Sequence, residues 1–400
     1  MHRGPGIGLA LALVTVVAAA QGPRPGGPGE GVPPPAPDYV TTDRFVPHVS
    51  TVPVNEGERV GLFVREKQSR IQAGRIAAGE APAGRVVLFV HGVSVPSIPD
   101  FDLAFGDYSW MSFLADRGFD TFAMDQQGYG LSARPTMDNP CNLAERDREL
   151  LDDAVLPEPC VADYGFQLTS SETDWDEIDT VVDFIRELRG VERVSLIGWS
   201  LGGLRAGGYA ARFPGKVDKL VLFAPFYQPG SPSAPPDEYP AAGPPMTLQT
   251  EPSLMQERWS ANVACENQVA PGISDRVWQT IMAFDDLGSI WASPRGVMRV
   301  RSASYFGWNT ESAGWIEAPT LILVGLEDGL LPGAEALYGD LGGTADKVLV
   351  RMQCATHFAV WEASQYRFMH EASLEWLSEG RYRGAGSGEF RVGFGGAALD

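Results

Sequence analysis

The strongest chemical signal in this 400-residue chain is Val194-Ser195-Leu196-Ile197-Gly198-Trp199-Ser200-Leu201-Gly202-Gly203. An apolar run rich in β-formers enters a Gly-x-Ser-x-Gly pentapeptide, and a small-residue helical pattern leaves it. Such a strand-to-helix turn pushes the Ser200 hydroxyl outward, where a substrate carbonyl can reach it. Gly198 and Gly202 are required because a Cβ at either would collide as the chain doubles back. With 46 glycines in the chain, chance supplies about one such pentapeptide in every three chains of this composition. The flanking strand and helix therefore carry the weight. A serine hydroxyl needs a base to take its proton, and histidine's ordinary pKa lies nearest the working pH. Past residue 20 the histidines are His48, His91, His357 and His370. His48 falls in an N-terminal strand region and His370 inside a helical pattern. His91 belongs to a His-Gly pair upstream of the serine, and His357 follows the last core-type strand.

The elements that must position these groups are legible as alternating patterns. Continuous apolar runs at residues 86–90, 121–124, 194–197, 220–224, 320–324 and 348–352 read as strands covered on both faces, the mark of a parallel sheet. Helical spacing fills residues 108–117, 175–188, 201–213, 334–341 and 359–377. A hairpin over 45–54 and 59–67, turning at Asn55-Glu56-Gly57-Glu58, precedes them. The expected fold is α/β: a mostly parallel twisted sheet with helices on both faces and an inserted lid. Residues 131–171 and 228–314 interrupt the alternation. The second insertion holds Trp259, Trp278, Trp291 and Trp308 and reads as a lid over the strand ends, most of these aromatics building its own core.

The chain thereby resembles the α/β-hydrolase fold of serine hydrolases, esterase- or lipase-like and lid-containing, whose triad runs in the order Ser, Asp or Glu, His. That order leaves His357 as base. Gly325-Leu326-Glu327-Asp328-Gly329-Leu330-Leu331-Pro332 matches the family pattern Gly-x-x-Asp-x-x-x-Pro, so the resemblance makes Asp328 the acid that orients the imidazole, with Glu327 the alternative carboxylate. The oxyanion donors it implies are the amides of Leu201 and Val93, the latter in His91-Gly92-Val93-Ser94, where His91 braces the turn. Asp125-Gln126-Gln127-Gly128-Tyr129-Gly130-Leu131-Ser132 is similar to the family's Asp-x-Arg-Gly-x-Gly-x-Ser turn, with Gln127 in place of Arg. Ala355-Thr356-His357 likewise departs from the Gly-His of many members. The implied activity is cofactor-free and metal-free cleavage of a carboxylic ester through an acyl-enzyme. Trp199 is the expected substrate-binding residue, beside an apolar or aromatic ester. A proline-type aminopeptidase or amidase, in which Glu251, Glu257 and Glu266 would hold a substrate ammonium, and a cofactor-free perhydrolase use the same triad. A non-catalytic binding protein on the same scaffold is the reading from another class.

A formal charge of −20 argues against nucleic-acid or anionic-membrane surfaces, which select for Lys and Arg. Residues 1–20 read as a signal peptide and 21–37 as a Gly/Pro-rich linker. Residues 38–227 and 315–383 form the expected core, 228–314 the lid and 384–400 a flexible tail. Export to a secreted or periplasmic location, with no stable membrane insertion after cleavage, would let the four cysteines form two disulfides in any of three connectivities. The expected pairing is Cys141 with Cys160, stapling one loop, and Cys265 with Cys354, tying the lid to the loop that carries His357.

Overall fold

In the computed structural model, residues 38–80 and 85–399 are described. The expected signal peptide and linker, 1–37, lie outside them. Nine strands form one sheet in the spatial order Tyr39–Val49, Arg59–Ser69, Asp120–Met124, Val86–Val90, Val194–Trp199, Val217–Phe223, Thr320–Gly325, Lys347–Met352 and Gly388–Val392. The first two pair antiparallel across the expected hairpin, and the second is antiparallel to Asp120–Met124. From there on every pairing is parallel.

Alternate residues of the strands feed two cores. Val87, Phe89, Ile197, Val221, Leu323 and Val350 face Trp110–Ala115 and Tyr366–Glu379. Leu88, Leu196, Leu222, Ile322 and Leu349 face Ser171–Arg189, Leu201–Arg212 and Leu331–Asp340. Apolar side chains on both faces are why these strands read as unbroken hydrophobic runs. The strand order reverses between Val86–Val90 and Val194–Trp199, whose successors lie on opposite sides. Open α/β sheets bind ligands at the carboxyl ends of such a switch point, and both the His91 turn and Ser200 emerge there.

Residues 228–314 carry the two-stranded pair Met246–Thr250 and Val297–Arg301, the π-helical segment Pro252–Trp259 and the helix Ile273–Ala283. This insertion is no separate body: residues 38–400 cluster as one compact unit. Leu254, Trp259, Ile273, Trp278 and Ile281 belong to the same core as one face of the sheet. The insertion's four tryptophans are all buried, but most do not build a core of its own: Trp259 and Trp278 join the core on one face of the sheet, Trp308 that on the other, and Trp291 a third cluster. The cysteines pair as Cys141–Cys160 and Cys265–Cys354. Among the described residues no helix is long and apolar enough to cross a membrane.

A further expectation is overturned. The expected flexible tail, 384–400, is ordered over much of its described part, because Gly388–Val392 adds a parallel strand to Lys347–Met352. Val392 is fully buried and its carbonyl accepts the Gln353 amide at 2.9 Å. The glycines that give the segment its loose appearance serve local geometry, Gly395 and Gly396 both having positive φ. Truncation after Gly386 should therefore uncover the Lys347–Met352 edge and remove the buried Val392 side chain. We expect a loss of roughly 3 kcal/mol, read as a lower urea midpoint. An unchanged midpoint would show that the strand contributes nothing.

Candidate active site

Ser200 stands between the strand Val194–Trp199 and the helix Leu201–Arg212 with φ 58° and ψ −119°, a conformation that side chains adopt only when the surroundings enforce it. Those surroundings are tight. A Cβ on Gly198 would lie 2.3 Å from the Gly202 carbonyl oxygen, and one on Gly202 would lie 2.1 Å from that of Val90. The Ser200 amide donates to Phe223 and its carbonyl accepts from Phe226, so the next strand also grips the turn.

Three residues far apart in sequence meet there. His357 Nε2 lies 2.9 Å from Ser200 Oγ, and its Nδ1 lies 3.0 and 3.1 Å from the two Asp328 oxygens. Asp328 is buried, and its Oδ1 also accepts the Leu330 amide at 2.8 Å. An Nδ1–H donated to Asp328 leaves Nε2 as the acceptor facing the serine. Glu327, the alternative acid, points elsewhere and accepts the Ala355 amide. His48 bonds Thr180. His370 is packed among Trp110, Phe113 and Tyr366, where burial pushes its pKa down to about 3.

The surrounding cavity, about 260 Å³ with the open solvent at its mouth included, is lined by Val93, Trp199, Ser200, Leu254, Arg258 and His357 among others. Val93 is therefore beside the serine, and Leu201, as the first residue of its helix, has an amide with no intrahelical acceptor. Trp199 touches the cavity but is only 2% exposed, and its indole N–H donates to the His357 carbonyl at 2.9 Å. It supports the base loop more than it offers surface to a ligand. Among the described residues no three His, Cys, Asp or Glu side chains converge as a metal site would require.

Behind the cavity lies a charged cluster that the sequence did not disclose. Arg205, on the serine's helix, donates from Nη1 to the His91 and Gly92 carbonyls, both at 2.9 Å, and from Nε to Asp174. Arg301, on the insertion, bonds the other Asp174 oxygen and the Gln127 carbonyl. All three charged side chains have no exposure. A guanidinium thus reaches the turn where Gln127 replaces the expected Arg, but it comes from residue 301. Burial, which outweighs the nearby Arg301, pushes Glu177 up to about 7. His91 lies beside this cluster, Nε2 accepting the Gln126 amide at 3.3 Å and Nδ1 next to the Gly92 carbonyl. Burial and the Arg205 charge push its pKa well down, so it braces the turn as a neutral imidazole.

Glu362 is the second residue that sequence reading missed. Its carboxylate accepts the Thr356 amide and hydroxyl from the base loop, and Trp259 Nε1 and Gln268 Nε2 from the insertion, all at 2.5–3.0 Å. The only signal was a Glu five residues after His357, which reads as solvent-facing. Replacing Glu362 by Gln would aim an NH₂ at donors. It should cost about 2–4 kcal/mol, measured by chemical denaturation; a cost below 1 kcal/mol would mean that the network is loose.

Against known proteins, the family described as alpha/beta hydrolase fold matches residues 85–364. No curated protein matches the chain. Similar solved structures include a thermophilic esterase from Thermogutta terrifontis (16% identity, 84% of this chain and 98% of that one, TM-score 0.49). A meta-cleavage product hydrolase from Pseudomonas fluorescens is alike to the same degree (16%, 84% and 98%, 0.49). A serine hydrolase from Cycloclasticus zankles follows (14%, 85% and 98%, 0.47). At these identities the likeness concerns the fold.

Proposed function

The chain belongs to the alpha/beta hydrolase fold family, and on that premise we propose that it is a secreted serine hydrolase that cleaves carboxylic esters through an acyl-enzyme. The observation that carries the reading is the continuous series Ser200 Oγ, His357 imidazole, Asp328 carboxylate, with spacings of 2.9 and 3.0 Å. Ser200 Oγ adds to the ester carbonyl as His357 Nε2 takes its proton, and Asp328 stabilises the imidazolium. The amides of Leu201 and Val93 receive the charge that develops on the carbonyl oxygen. Collapse of the adduct breaks the bond to the alcohol, which leaves with the proton from His357. Water, deprotonated by the same imidazole, then adds to the acyl carbon, and the acid departs as Ser200 recovers its proton.

Residues 228–314 serve in this reading as a lid that bounds the substrate. The modest cavity favours a short acyl group. Two disulfides are in keeping with an oxidising compartment, and export through residues 1–20 is part of the proposal. The aminopeptidase reading gains nothing from the insertion's carboxylates. Glu251 is paired with Arg295, and Glu257 and Glu266 are exposed away from the cavity lining.

Ser200→Ala and His357→Ala should each lower turnover of 4-nitrophenyl butyrate by about 10³-fold or more, while His370→Ala changes it little per folded molecule. Loss with His370→Ala and not with His357→Ala would reverse the assignment of the base. A fluorophosphonate should label the wild type at Ser200, and a dodecanoyl ester should turn over more slowly than the butyrate. Turnover of an aminoacyl anilide without any ester turnover would sink the esterase reading, and failure to label would favour a binding protein.

A further inference from the structure

The insertion places one guanidinium in the cavity above Ser200 and supplies no anion to meet it. Arg258 lies four residues after Leu254 on the segment Pro252–Trp259, and both side chains line the cavity that holds Ser200, His357 and the Val93 turn. Its Nη1 reaches the Ser94 hydroxyl at a long 3.4 Å, and its guanidinium carbon stands 5.8 Å from the centre of the Phe358 ring. Elsewhere in the insertion the half-buried and buried arginines hold carboxylates: Arg295 pairs with Glu251, Arg299 with Asp285, Arg301 with Asp174. Arg258 pairs with none among the described residues. Burial pulls its pKa below the ordinary arginine value and no neighbouring charge raises it back, yet an arginine stays charged at neutral pH.

The one carboxyl group that lines the cavity does not answer this charge. Asp100 is 4% exposed, its Oδ2 accepting the Gly92 amide at 3.4 Å and its Oδ1 lacking a partner. Burial pushes its carboxyl well above the usual carboxylate range. It forms no ion pair with Arg258, and no neighbouring carboxylate acts on that guanidinium, so the positive charge stays unmet.

Resting on the hydrolase reading above, we propose that the natural ester carries a second, ionised carboxylate that Arg258 binds while Ser200 attacks the ester carbonyl. A half-buried guanidinium without a counter-charge is costly, and a substrate carboxylate relieves it with two parallel hydrogen bonds. A single guanidinium supplies one positive charge, which matches a carboxylate and leaves much of a phosphate monoester's charge unmet. The remote carboxylate takes no part in bond making or breaking. The apolar lining from Leu254 and Phe358 accommodates the methylenes between the two ends, and the modest cavity points to a short one, such as the half-ester of a small dicarboxylic acid.

The test compares 4-nitrophenyl hydrogen adipate with its methyl-capped diester, and 3-acetoxybenzoate with its methyl ester, so that within each pair a carboxylate is exchanged for a neutral methyl ester. In at least one pair the wild type should favour the anion by about tenfold or more in kcat/KM at low salt. Arg258→Gln should bring the pair to near parity, and Arg258→Lys should retain a several-fold preference. Calorimetry on Ser200→Ala protein gives a readout free of catalysis: monomethyl adipate should bind about tenfold more weakly when Arg258→Gln is added. If esters turn over with no Arg258-dependent preference, the anion site is wrong and the hydrolase reading stands. If no ester turns over while monomethyl adipate binds through Arg258, the hydrolase reading falls and the anion site stands.

Discussion

Two guanidinium groups, Arg205 and Arg301, share the buried carboxylate of Asp174 with no exposure at any of the three. Removing one member of such a group leaves an uncompensated interior charge, typically a loss of 3–5 kcal/mol. The arrangement also reaches outward in three directions. Arg205 fixes the carbonyls of His91 and Gly92, and with them the turn that presents Val93. Arg301 fixes the carbonyl of Gln127 and so ties the insertion's strand Val297–Arg301 to the turn that follows Asp120–Met124. Asp174 anchors both from the helix Ser171–Arg189. The serine's helix, the Val93 turn and the insertion are thus oriented by one electrostatic junction.

A second junction does for the base what the first does for the nucleophile. Glu362 gathers donors from Thr356 and from Trp259 and Gln268 of the insertion. The disulfide between Cys265 and Cys354 joins the same two segments covalently across 89 residues. Trp199 closes the circuit by donating to the His357 carbonyl. The insertion is consequently wired into both ends of the catalytic series, and its apolar side chains run on into the core of the sheet.

What was legible in the sequence follows from which physical signals are local. Ser200 was visible because strand, glycine spacing and helix all lie within a dozen residues, and the strands because burial on both faces leaves unbroken apolar runs. His357 and Asp328 needed the order of motifs along the chain as well as their composition. Arg205, Arg301, Asp174 and Glu362 were missed because a charged residue reads as solvent-facing unless its partner is known: the Asp174 partners lie 31 and 127 residues away, and Trp259 and Gln268 lie 103 and 94 residues from Glu362. Gly388–Val392 failed differently. Its glycines signal looseness, whereas the sheet edge that orders the strand belongs to Lys347–Met352.

That terminal strand has a consequence in the order of synthesis. Gln353 and Gln365, which bracket His357, are held through hydrogen bonds to the carbonyls of Val392 and Gly393. Ser200 is 157 residues upstream of His357, and two of the bonds that flank the His357 loop come from residues still further downstream. A chain emerging from the ribosome N-terminus first therefore carries its serine long before it carries an aligned imidazole. The series of Ser200, His357 and Asp328 stays unassembled throughout elongation and closes only when the terminal strand has been made.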